Sequence, residues 1–182
     1  MFSNATLNAA QTTKTTLHEL AIDLERAVAN ATAGTLPDAV GAVLRDHQDI
    51  EDLLTPEQSA GSSDRYTRHI LYADPAGRFT LVALVWRPGQ FTPVHGHYTW
   101  CAYSILRGSM HEEQFGWDVK LQRAIYTDNV KRITGDVVSS HAGLHDIHRL
   151  NNKGDEIAIS IHVYGVDGDR VSTHVNRIID IA

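Results

Sequence analysis

Cysteine is nearly absent from this chain. Cys101 is the single one among 182 residues, which excludes an intramolecular disulfide and fits a reducing cytosol. No apolar run approaches the length of a membrane span. No long Lys/Arg run offsets the formal net charge of −6, which argues against nucleic acid or an anionic membrane surface as a partner. The opening MFSNATLNAAQTTKTT has no basic region followed by an apolar core, so a secretory signal is not expected and the expected compartment is the cytoplasm. Internal repeats and low-complexity tracts are also missing.

What is there is ordinary for a soluble globular protein: 42% hydrophobic and 21% charged residues, in a chain long enough for one domain with a real core. The first 14 or so residues are small and polar and read as loosely ordered. Thr16 is placed to cap a helix, and Leu17, Leu20, Ala21, Leu24, Ala27 and Val28 follow helical spacing. Val40, Val43 and Leu44 suggest a second short helix, and residues 55–64 (TPEQSAGSSD) read as a loop. From Tyr66 the texture changes to short β-rich runs broken by turns: RYTRHILYA, FTLVALVW, WCAYSILRG, MHEEQFGW, ITGDVV, IHRL and EIAISIHVYG. Such a series predicts an all-β sandwich or barrel. The expected organisation is a helical extension over residues 1–55 packed on a barrel over residues 56–182, one domain overall.

The chemistry concentrates in GQFTPVHGHYTWCAYSILRG, residues 89–108. His95 and His97 stand at i and i+2 on an extended segment, so their imidazoles point to the same side after a Pro-Gly turn. Two converging imidazoles suggest two ligands of one metal. A third is expected from a later strand, where His141, His145 and His148 are the candidates. His148, in IHRLNN, is the first choice and His145 its rival. Three neutral imidazoles leave a divalent site at +2, open to an anionic thiolate and dioxygen. Zinc could also occupy three histidines and activate water, so the ligands alone leave iron and zinc open. A zinc hydrolase would be expected to bring a carboxylate base close to the ligands, yet no Asp or Glu lies between Gly89 and His111. Farther on, Ile157, Ile159, Ile161 and Val163 alternate with Ala158, Ser160, His162 and Tyr164. One face of that strand is aliphatic. The other carries a polar row, a hydrogen-bonded relay if it faces a metal-holding interior.

The spacing from Gly89 to Gly108 resembles the first motif of the cupin superfamily, in which a Glu usually follows the two histidines. Here Cys101 holds that position. The H-x-x-x-N from His148 to Asn152 resembles the second motif. Residues 65 to 168 resemble the thiol dioxygenase branch of the cupins, most of all the cysteine dioxygenase family. The resemblance implies a cupin barrel (double-stranded β-helix, jelly-roll) with a short helical N-terminal region. It implies Fe(II) held by His95, His97 and His148, and a Ser160, His162, Tyr164 row beside it. Arg68 and Tyr66, in the YTR segment, are implied to bind the substrate. Cys101 and Tyr164 have the residue types for the thioether crosslink found in some members, although many bacterial members have Gly in place of the cysteine. The implied substrates are a small thiol and O2. L-cysteine is favoured, because family enzymes for 3-mercaptopropionate tend to carry Gln at the Arg68 position and another Arg later in the fold. Arg170 and Arg177 therefore keep 3-mercaptopropionate and mercaptosuccinate open as alternatives. The reading of a different class is a sensory cupin that binds metal without catalysis. The segment from His148 to Ser160 is one residue shorter than in the animal enzymes, a difference the NNKGDE turn can absorb.

Overall fold

Two five-stranded antiparallel sheets face each other across the core of the computed structural model, which describes residues 15–50 and 53–182. The reading of the first 14 residues as loosely ordered falls outside the described residues. Among the described residues, ten strands follow three α-helices: β1 (Thr67–Ala73), β2 (Thr80–Trp86), β3 (His95–His97), β4 (Cys101–Arg107), β5 (Ser109–Asp118), β6 (Arg123–Ile133), β7 (Val137–Ser140), β8 (Gly143–Asn151), β9 (Ala158–Tyr164) and β10 (Asn176–Ile178). The first sheet runs β1-β2-β9-β4-β7 and the second β10-β3-β8-β5-β6. This is the double-stranded β-helix barrel of the cupins, as expected from the sequence. No helix among the described residues is long and apolar enough to cross a membrane.

The helices explain why β2, TLVALVW, carries no polar alternation. Helix α1 (Leu17–Asn30) starts where Thr16 accepts the Glu19 N–H at 3.2 Å and Glu19 accepts the Thr16 N–H at 2.8 Å, a reciprocal cap. Helix α2 is Leu36–Asp46, with Pro37 in its first turn. Their apolar stripes, Leu20, Leu24, Val40 and Leu44, pack with Leu81, Ala83, Ala102, Ile161 and Val163. The first sheet is thus covered on its outer face by helices and on its inner face by the barrel core. That inner core contains Val82, Leu84, Trp86, Tyr103, Ile105, Met110 and Leu150. Every residue of β2 and β9 is buried.

Three details differ from the sequence reading. Residues 55–64 contain a short helix, α3 (Pro56–Ala60), capped reciprocally by Thr55 and Gln58. The ITGDVV run divides into a turn and β7, VVSS. An eleven-residue strand, β6, pairs with β5 along the sheet edge. It passes unnoticed in the sequence because only Ala124 in it is buried.

Candidate metal centre

The H-x-H segment forms a three-residue strand, β3, between β8 and β10. His95 lies directly opposite His148, and His97 opposite Gly143 across a bulge. A side chain at Gly96 would place its Cβ 2.6 Å from the Gly143 carbonyl oxygen. Glycine is required there so that β3 can approach β8 and bring the three histidines together. The ligating atoms of His95, His97 and His148 all lie within 4.8 Å of one another, and all three side chains are buried.

Each ring is prepared for a cation. His95 Nδ1 lies 2.9 Å from the Pro93 carbonyl oxygen, and the hydrogen bond it donates there leaves Nε2 unprotonated. His148 Nδ1 donates to Glu112 Oε1 at 2.7 Å, while His148 Nε2 and His97 Nδ1 are buried without a hydrogen-bond partner. Burial, reinforced by the His148 charge, lowers His95 to about 3. Burial likewise lowers His97 well below the usual imidazole range, with His148 and His95 adding to the effect. Burial that keeps His95 and His97 uncharged, and ring nitrogens of His97 and His148 left without partners, fit a divalent metal.

Behind His148 stands a carboxylate not anticipated from the sequence, Glu112, the residue after His111. Glu112 Oε2 accepts from Arg132 Nε at 2.8 Å and from its terminal nitrogen at 2.6 Å. Burial alone would raise Glu112. The His148 hydrogen bond and the charges of His148 and Arg132 outweigh it and hold the carboxyl at about 2. Glu112 therefore orients the His148 ring, as partners of metal-bound histidines do. Both of its oxygens are engaged, so it is not free to act as a base. The alternation of β5 sends Glu112 and Gln114 to one face, and the pairing of Gln114 with His148 turns that face toward the histidines.

The polar row of β9 faces the barrel interior. Trp86 Nε1 donates to Ser160 Oγ at 2.9 Å, Ser160 Oγ lies 2.9 Å from His162 Nε2, and His162 Nδ1 lies 3.1 Å from the Tyr164 hydroxyl. An indole N–H only donates, so Ser160 accepts from Trp86. With the Ser160 hydrogen given to His162 Nε2, His162 carries its proton on Nδ1 and donates to Tyr164, whose hydroxyl hydrogen is then left for the cavity. Burial keeps His162 neutral, with the charges of His148 and Arg68 acting in the same direction. Burial also raises Tyr164, so its phenol stays protonated.

Arg68 reaches the same cavity from β1. Its guanidinium donates to the Tyr66 hydroxyl at 3.1 Å, and the Tyr66 ring stacks on Trp86 with centroids 4.3 Å apart. Arg68 is exposed and also lines the cavity, so it stands at the mouth rather than in the interior. Cys101 is directly opposite Tyr164 in the β4–β9 ladder, and burial pushes its thiol up. One cavity is lined by Arg68, His95, His97, Cys101, His148, His162 and Tyr164. Tyr66 abuts it through Trp86 and Arg68, and Ser160 stands behind His162. The rival ligand His145 is exposed and lines a separate cavity of about 310 Å³ beyond His148. His141, Arg170 and Arg177 are exposed and line neither cavity. Trp86 and Asn176, neither of them singled out in the sequence, also line the histidine cavity.

Residues 59–175 match a family model described as cysteine dioxygenase type I. The cysteine dioxygenase type 1 of Rattus norvegicus is 26% identical over 104 residues, covering 55% of this chain and 50% of its own length. That of Danio rerio is 29% identical over 105 residues, covering 55% and 51%. The chain spans about half the length of the curated relatives it matches. A solved structure of an uncharacterized conserved protein with a double-stranded β-helix domain from Klebsiella pneumoniae is 19% identical. It covers 65% of this chain and 87% of its own, with a TM-score of 0.46.

Proposed function

The chain belongs to the cysteine dioxygenase type I family, and from that premise we propose that it is a mononuclear iron thiol dioxygenase. On this reading it adds both atoms of dioxygen to the sulfur of L-cysteine, giving the sulfinate. One observation carries the reading: three buried imidazoles, with no carboxylate among them, open on a cavity that also holds a guanidinium and a phenol. His95, His97 and His148 would hold Fe(II). Bound there, the metal would supply a cationic, coordinatively open site that favours the thiolate and accepts dioxygen beside it.

The protein's own groups have separate tasks. Arg68 pairs with the substrate carboxylate, for which a planar guanidinium offers two parallel donors. Tyr66 steadies that guanidinium from one side. Tyr164 directs its hydroxyl hydrogen at the carboxylate or at the oxygen being transferred. Neutral His162, held by Ser160 and Trp86, keeps that hydrogen pointing inward. Because Glu112 is fully engaged by His148 and Arg132, a water-activating zinc hydrolase lacks its base. Arg68 lines the histidine cavity and Arg170 and Arg177 do not, which supports cysteine over the mercapto-acids.

The opposed positions of Cys101 and Tyr164 support a thioether between them. Forming it replaces one S–H and one ring C–H with a C–S bond, and dioxygen takes up the two hydrogens. Peptide mapping after turnover with iron and oxygen tests for that loss.

The deciding experiment is anaerobic loading with Fe(II), followed by oxygen uptake with cysteine, 3-mercaptopropionate, mercaptosuccinate and cysteamine. The expected result is stoichiometric oxygen consumption and sulfinate from cysteine, with cysteamine a poor substrate for want of a carboxylate. No uptake with any thiol overturns the reading.

A further inference from the structure

β10 adds an edge to the second sheet, and its register places Asn176 directly opposite His97. Opposed residues of an antiparallel pair share a face, so Asn176 accompanies His97 toward the histidine cavity, which it lines. Its neighbour Arg177 is exposed. Backbone bonds clamp the strand on both sides: Tyr98 N–H to the Val175 carbonyl at 2.8 Å and Ile179 N–H to the Val94 carbonyl at 3.0 Å. Asn176 is therefore held in place by main chain on either side of it. Its amide oxygen is buried and accepts no hydrogen bond among the described residues. Buried carbonyl oxygens are rarely left unpaired, and one on a side chain that lines a ligand cavity is an acceptor open to a donor.

We infer that Asn176 is a specificity-determining residue whose amide oxygen accepts an N–H of the substrate's α-amino group. The inference rests on the thiol dioxygenase reading and deepens it. The candidate substrates present three kinds of group. A thiolate and a carboxylate are acceptors and would be repelled by an amide oxygen. An amine or ammonium is the only donor among them. Arg68 and the hydrogen of Tyr164 already serve the anionic end. Asn176 thus distinguishes an α-amino thiol acid from a mercapto-acid of the same reach, because a mercapto-acid leaves the buried oxygen unpaired.

The test uses the iron-loaded full chain as parent, Asn176→Leu and Asn176→Asp. For each, kcat/KM is measured with cysteine and with 3-mercaptopropionate, and anaerobic thiol binding and thermal unfolding are measured alongside. Asn176→Leu removes the acceptor and should lower the cysteine to 3-mercaptopropionate ratio about tenfold, in binding as well as in turnover. Asn176→Asp keeps an acceptor and should preserve the parent's preference. A Leu variant that weakens both thiols equally, or neither, overturns the assignment and leaves the dioxygenase standing. So does an Asp variant that loses cysteine, since that would show the amide nitrogen serving the carboxylate. A parent that oxidises no thiol overturns the dioxygenase and this assignment together.

Discussion

At the scale of single residues, two groups that touch no substrate have roles that kinetics and metal binding can separate. Glu112 acts only through His148 Nδ1. Glu112→Gln keeps the volume and removes the charge, so iron affinity is expected to fall about 10- to 100-fold. Competition with a chelator measures it, and unchanged affinity would remove Glu112 from the site. Trp86→Phe keeps the ring that stacks on Tyr66 but deletes the N–H that orders the row through Ser160. Iron binding should persist while kcat/KM falls on the order of tenfold, as the row loses the donor that anchors Ser160 behind His162 and Tyr164. His95 with His97 and the β9 row were legible in the sequence because each is a local pattern, of i and i+2 on one strand, whereas His148, on β8, stood out by its resemblance to a cupin motif and had His145 as a rival. Glu112, Trp86 and Asn176 were not legible there, because each reaches the site through a pairing with a distant strand, and pairing leaves no mark in local spacing.

At the scale of elements, the β1–β2 turn shows how a hairpin is closed by charge. Asp74 accepts from the Arg78 backbone N–H at 3.0 Å and from two guanidinium nitrogens at 2.6 and 2.9 Å. The Arg78 side-chain hydrogen bonds lower the Asp74 carboxyl, against a smaller upward push from burial. A carboxyl depressed on folding contributes stability above its ordinary pKa, and that contribution is lost as pH falls through the folded value. Asp74→Asn should therefore lower Tm at neutral pH, by about 1–3 kcal/mol in stability. The gap from the parent should close as pH drops below about 4. Unfolding curves across that range decide it, and a gap independent of pH would exclude the charge as the cause. Elements with one apolar face were readable: α1 from its cap and stripe, β9 from its alternation. β6 was not, because its sequence RAIYTDNVKRI lies at a sheet edge and buries only Ala124. Nor was α3, whose five residues bury none of their number, although Thr55 and Gln58 spell its cap.

For the whole molecule, the histidine centre joins β3 to β8 across the second sheet, so a metal there ties local chemistry to global stability. A ligand that binds only the folded state raises stability by about 2.7 kcal/mol at a hundredfold excess over Kd. Fe(II) should accordingly raise the Tm of the parent under anaerobic conditions, chelation should reverse the rise, and His148→Ala should abolish it. An equal rise in the His148→Ala protein would place the stabilising metal elsewhere. The barrel itself could be anticipated from the rhythm of short runs and turns. The order of strands could not, because β2 pairs with β9 and β4 with β9 across dozens of intervening residues.

β9 is buried on both faces, with Ile161 and Val163 against the helices and Ser160, His162 and Tyr164 toward the metal centre. Its length is therefore frozen. One residue inserted within it would exchange the two sets, burying the relay under helices and aiming isoleucines at the substrate. Lineages of this chain can gain or lose residues only outside the strand, as in the turn 153–157. Length variation there, and constancy from 158 to 164, is what its descendants should display.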